Sequence, residues 1–210
     1  MRAGEAKGRV GLDFPLAVHP EQRYETPVMT EPKQTAPAAT PPAASPPARL
    51  PDGARVLRGA EPIAGVQVIP LRRIPDERGT IFHMLRESDP HFQRFGEIYF
   101  STVYKGVIKG WHRHNDMSLN YACMVGRVKC ALFDDREGSS TKGTLMEVFL
   151  GPDSYSLLIV PPGVWNGFKG LEDPLSVVAN CCTHAHDPKR SSRLDPFENH
   201  IDYDWAVKHH

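Results

Sequence analysis

The sequence predicts an all-β sandwich or barrel set behind a proline-rich tail. Short runs rich in Val, Ile, Phe and Tyr recur from about residue 56 onward, separated by Gly, Pro and Asp. Almost nothing in that region carries a helical period. Ten of the 20 prolines fall in residues 1–51, so composition itself marks a boundary near residue 55.

Taken in order, the first segment is residues 1–55. Residues 31–53 are mostly Pro, Ala, Thr and small polar residues, too poor in apolar bulk to build a core. This segment is therefore expected to be a disordered Pro/Ala-rich tail. Phe14, Leu16 and Val18 form a candidate docking strand within it. The second segment, residues 56–210, is expected to be the folded domain. Its strands are expected at 66–71, 80–85, 97–103, 107–111, 120–125, 128–133, 144–150, 156–160 and 175–182. Residues 87–95 are the one stretch expected to be helical. In the run 127–133, Val128, Cys130 and Leu132 fall on one face, the period of two of a half-buried strand.

Charge and apolar run length exclude several functions. Lys plus Arg is 25 and Asp plus Glu is 25, a balance that lacks the basic surplus of a nucleic-acid binder. It equally lacks a polybasic membrane anchor. The apolar runs, such as Leu157-Leu-Ile-Val160, are too short to span a bilayer. The N-terminus has no apolar signal-peptide core, and the place expected for the chain is the cytoplasm. Cys123, Cys130, Cys181 and Cys182 form no C-x-x-C pair and read as buried free thiols in a reducing compartment.

The residues with chemical potential concentrate in Val107-Ile-Lys-Gly-Trp-His-Arg-His-Asn115. His112 and His114 stand two apart at a strand end, so both rings face one way. Two imidazoles on one face can relay protons or hold a metal. About fifty residues on, Gly151 precedes a strand that runs into Pro161-Pro-Gly163 and then Val-Trp-Asn-Gly-Phe168. These two parts together resemble the two-part pattern of cupins, which implies a double-stranded β-helix, or jelly roll. Two of the usual metal ligands are absent: Asn166 stands near one place, and Met117-Ser-Leu-Asn120 supplies no Glu. Asn is a poor ligand for a borderline-soft metal, so no metal and no cofactor are expected.

Within the cupins, the chain resembles the dTDP-4-dehydrorhamnose 3,5-epimerases over roughly residues 66–205. Asp76-Glu-Arg-Gly-Thr-Ile-Phe82 is similar to the family's D-x-R-G-x-F. Gly106-Val-Ile-Lys-Gly-Trp-His112 is similar to G-V-L-R-G-L-H. Asp134 to Gly143 resembles D-x-R-x-x-S-P-T-x-G, and Ile159 to Phe168 resembles I-P-x-G-x-A-H-G-F. Asp195-Pro, with Ile201 and Trp205, resembles the closing N-D-P and I-x-W. The resemblance implies an isomerase of a nucleotide-linked 4-keto-6-deoxy sugar, most simply a dTDP sugar, working as a homodimer. It implies that His112 is the base that abstracts a proton beside the ketone. It gives Lys109 and Arg78 to the sugar or diphosphate, and places His114 and Asn166 in the pocket, polarising the carbonyl.

The chain also departs from the family pattern. Asn180 stands where the family carries an acidic Tyr, no Lys falls near Leu119, and Asn166 replaces a His. The family's Asp that pairs with the basic His lies past the I-x-W, beyond His210. Candidates for a substitute acid are His184, His186, Tyr99, Tyr104 and Tyr121. The pair His112/His114 also resembles R-G-x-H-A-H of the nucleotide-sugar 3,4-ketoisomerases, an alternative chemistry. A sugar-nucleotide-binding cupin without turnover is the other alternative.

Overall fold

The computed structural model describes residues 50–208. The tail and the docking strand expected in it lie outside these residues. The described chain forms β1 (Ala54–Arg58), β2 (Gln67–Pro70), β3 (Arg73–Asp76), β4 (Gly79–Phe82), β5 (Glu97–Tyr104), β6 (Ile108–His114) and β7 (Leu119–Val125). It continues as β8 (Val128–Phe133), β9 (Leu145–Leu150), β10 (Ser156–Val160), β11 (Trp165–Gly170), β12 (Leu175–Cys182) and β13 (Ser191–Arg193). A single 3-10 turn, Pro188–Arg190, is the helical content of the described residues.

Two antiparallel sheets make a cupin sandwich. One runs β1-β9-β8-β11-β6-β13 and the other β2-β10-β7-β12-β5, with β3-β4 as a separate hairpin. Their inner faces enclose one core that includes Leu119, Tyr121, Leu132, Val148, Leu158, Phe168 and Val178. Burying each large apolar side chain contributes about 1.5–3 kcal/mol, so the sheet-to-sheet contact dominates stability.

The strand β8 corrects one expectation. All six of its residues are buried, where a half-buried strand was expected. Val128, Cys130 and Leu132 face the core between the sheets, as the period of two requires. Ala131 and Phe133 face outward into a second apolar cluster with Trp111, Trp165, Ile201 and Trp205. The segment that ends in Trp205 thus covers the outside of the six-stranded sheet. Lys129 is held there too, its Nζ donating to the carbonyl oxygens of Trp205 at 3.3 Å and Ala206 at 3.0 Å.

The helix expected at 87–95 is absent, replaced by turns. Asp89 Oδ2 accepts the Arg86 amide at 2.7 Å, and Pro90 follows at once. A carboxylate competing for backbone donors and a residue with no amide both work against a helix.

Candidate active site

The two histidines sit on β6, whose side chains alternate between the faces of its sheet. Trp111 points outward into the second cluster, and Arg113 lies over the Trp165 ring at 4.4 Å on that same side. His112 and His114 therefore face the space between the sheets. The register agrees, because His112 is paired with Asn166 of β11, whose amide reaches Tyr121 of the opposite sheet. The pairing of β6 with β11 shifts between Asn166 and Phe168. Two glycines allow the close approach there: a Cβ on Gly110 would lie 2.8 Å from the Gly167 Cα, and a Cβ on Gly167 equally close to the Gly110 Cα. The shift keeps Lys109, opposite Phe168, on the inner face as well. Lys109 Nζ reaches across the gap and donates to Ser101 Oγ of β5 at 2.9 Å.

β13 adds a residue that no sequence signal marks. Arg193 pairs with His112, directly opposite in the ladder, and so shares its face. Burial first, then the positive charges of Arg193 and Lys109 and the competition of His114 for a proton, push the His112 imidazole down to about 4. His112 is therefore neutral at physiological pH, the form a base requires. The His114 imidazole is also pushed down, by burial and by His186, whose ring lies 6.0 Å away. His114 Nδ1 has no hydrogen-bond partner among the described residues.

A string of polar side chains lines the interior below these groups. Tyr121 Oη donates to Asn166 Oδ1 at 3.2 Å, and Asn166 Nδ2 donates to the carbonyl oxygens of His112 at 3.1 Å and Val164 at 3.3 Å. On the facing sheet, Asn180 Oδ1 accepts the Asn120 amide at 3.1 Å. Its Nδ2 donates to Tyr99 Oη at 2.8 Å, and the two residues are partners in the β12–β5 ladder.

The sequence-derived site residues thus divide. His112, His114 and Lys109 come together. Asn166 joins them, but its amide is spent on protein groups: it fixes the β6 backbone and does not reach out to a carbonyl. Arg78 stays apart on the hairpin turn between β3 and β4, where Nη2 is paired with Asp76 at 2.6 Å and its side chain is 84% exposed. Of the substitute acids, Tyr104 points away from the interior and is exposed, while Tyr99 and Tyr121 line it.

The motif from Asp134 to Gly143 is architectural. The buried Asp134 carboxylate accepts from Arg136 Nε at 2.8 Å, Ser139 Oγ at 2.6 Å and Thr141 Oγ1 at 2.7 Å. Burial alone would raise its pKa; these donors more than offset it and hold the carboxyl well below the usual range.

Among the described residues no three His, Cys, Asp or Glu side chains converge to hold a metal ion. No helix among them is long and apolar enough to cross a membrane. An open cleft of about 680 Å³, lined by Leu50, Arg73, Asp153 and Tyr155 among others, contains none of the site residues.

A cupin sandwich with two imidazoles and two cations on the inner face of one sheet can carry acid–base chemistry on a bound ligand. The dTDP-4-dehydrorhamnose 3,5-epimerase family matches residues 60–210, and the chain belongs to that enzyme family. Similar curated proteins include the probable low-salt glycan biosynthesis epimerase Agl13 of Haloferax volcanii, 32% identical over 68% of this chain and 89% of that protein. The spore coat polysaccharide biosynthesis protein SpsL of Bacillus subtilis is 30% identical over 70% of this chain and 98% of its own length. Among solved structures, the dTDP sugar isomerase of Desulfovibrio desulfuricans G20 is 42% identical, covering 70% of this chain and 94% of that one, with a TM-score of 0.68.

Proposed function

We propose that the chain is an isomerase of a nucleotide-linked 4-keto-6-deoxy sugar and that His112 abstracts the proton beside the ketone. One observation carries the reading: a neutral imidazole faces the interior of the sandwich with Lys109 and Arg193 beside it. A proton on a carbon beside a ketone leaves only if a base accepts it and a cation or donor stabilises the enolate oxygen. His112 supplies the base, and Lys109, which reaches the facing sheet, supplies a positive charge. Arg193 offers a planar fork suited to the diphosphate. The reading needs nothing from Arg78.

Membership of the dTDP-4-dehydrorhamnose 3,5-epimerase family and similarity to a dTDP sugar isomerase support a dTDP-linked sugar as the substrate, within carbohydrate biosynthesis. Four buried free thiols fit a reducing cytoplasm as the place of action. A second copy of the chain is proposed as its partner, making a homodimer.

The test is proton NMR of dTDP-4-keto-6-deoxyglucose with the protein in deuterated water. Deuterium is expected at C3 or C5 with the native protein, and its entry is expected to fall by at least about 100-fold in His112→Ala. Full exchange in that variant would overturn His112 as the base. The second reading, a 3,4-ketoisomerase, is favoured by one observation: His112 and His114 face the same interior from one strand. It requires the keto group to move to C3, which the same spectra resolve. Perturbed ligand signals without exchange would leave a cupin that binds the sugar nucleotide without turning it over.

A further inference from the structure

Two Asn–Tyr pairs lie between the sheets, and their hydrogen bonds run in opposite directions. In the first, Asn166 Nδ2 is committed to the carbonyls of His112 and Val164, so its oxygen faces Tyr121. Tyr121 must therefore donate its proton to Asn166, and Tyr121 is only 6% exposed. In the second, Asn180 Oδ1 is committed to the Asn120 amide, so its nitrogen faces Tyr99. Tyr99 Oη is the acceptor of that bond, which leaves its own proton for another group. The Cys182 thiol beside it is a weak acceptor that a carbonyl or enolate displaces.

We propose that Tyr99 is the acid that delivers a proton to the sugar carbon on the side opposite His112. This rests on the isomerase reading above and names the group that reading leaves open. Tyr99 stands on β5 of the five-stranded sheet, and His112 on β6 of the six-stranded sheet. A flat enolised ring held between the sheets presents one face to each. Ser101, two residues along the same face of β5, accepts from Lys109 of the opposite sheet, so the cation that steadies the enolate oxygen comes to the wall that carries Tyr99.

The step balances without any further reactant. His112 takes the proton from carbon, and the C–H pair becomes the enolate π bond. That pair then forms a new C–H bond with the Tyr99 proton as the Oη–H bond breaks, leaving a phenolate. The Asn180 N–H that already points at Oη stabilises the phenolate charge. Tyr99 is 42% exposed, so water restores its proton, and water takes the extra proton from the imidazolium. Tyr121, sealed in the core with its proton engaged, lacks this return path.

The experiment compares native protein, Tyr99→Phe and His112→Ala with dTDP-4-keto-6-deoxyglucose in deuterated water, following solvent exchange and inversion separately. Phe keeps the ring and removes only the proton donor. His112 can still remove a proton and return deuterium from its own side. Tyr99→Phe is therefore expected to keep exchange within about threefold, with configuration retained, while inverted product falls at least about 100-fold. Inverted product within about threefold of native would overturn the assignment, and Glu97, next along the same face, would be the group to replace. Equal loss of exchange and inversion, with an unchanged near-ultraviolet dichroism spectrum, would also overturn it, because a positioning role lowers both. A native protein that neither exchanges nor inverts fails the isomerase reading itself, and the acid assignment falls with it.

Discussion

An imidazole held near 4 is a weak base, and the proposed role of His112 therefore needs its value to rise when substrate binds. The imidazole is depressed by burial first, then by the positive charges of Arg193 and Lys109 and by the competition of His114 for a proton. On the proposed reading, a nucleotide diphosphate would bring negative charge to Arg193 and its neighbours and cancel part of their effect. The His112 value is therefore expected to rise when dTDP binds, and to rise in the free protein when Arg193 is replaced by Gln. Histidine ring-proton NMR across pH 3–8 follows both, and a downward move in either would refute the electrostatic account. The sign for stability follows from the same shift. Below the ordinary histidine value of 6.5 the unfolded chain takes up a proton that folded His112 refuses until about 4. Stability is thus expected to fall between those limits on acidification, and His112→Gln, which has nothing to titrate, is expected to flatten that slope in urea melts.

At the scale of elements, the loop joining β8 to β9 is organised around one carboxylate. Asp134 accepts from a guanidinium, two hydroxyls and the Arg136 amide, and a neutral amide cannot accept at both of its ends. Asp134→Asn is expected to cost roughly 3 kcal/mol and about 10 °C in melting temperature. A thermal scan checks this, and a loss near zero would mean the loop repacks freely. The sequence carried this motif, yet its pattern did not separate an architectural role from a catalytic one. The strands β8, β10 and β12 were legible to the residue, because apolar runs between Gly and Pro are local signals. β11 was not, since Asn166-Gly167 inside Trp165–Gly170 reads as a turn, and its glycine is there for a close approach to Gly110. His112 and His114 were legible through the period of two on one strand. Arg193, and the polarity of the Asn180–Tyr99 pair, were not. Those depend on register between strands some 80 residues apart, which no local pattern encodes.

At the scale of the whole molecule, the strand β5 leaves work undone. It is the last strand of its sheet, paired on one side with β12, and its outer face carries Ile98, Phe100 and Tyr104. Phe100 is 63% exposed and Tyr104 65%. An edge strand with a row of exposed apolar side chains is a hazard for an isolated chain, and proteins cover such edges. A second copy of the same chain is the proposed cover, because twofold symmetry would lay one such row against another and shield both edges at once. The inner face of β5 holds Tyr99 and Ser101, so such pairing through the outer face would also stiffen the wall of the site. Light scattering on the full chain is expected to return twice 23.4 kDa at micromolar concentration. Phe100→Asp, which sets a charge at the centre of the row and faces away from the core, is expected to return the monomer mass with the fold intact by circular dichroism. A Phe100→Asp protein that remains dimeric would move the interface to another surface, and a native protein of monomer mass would remove the second copy altogether.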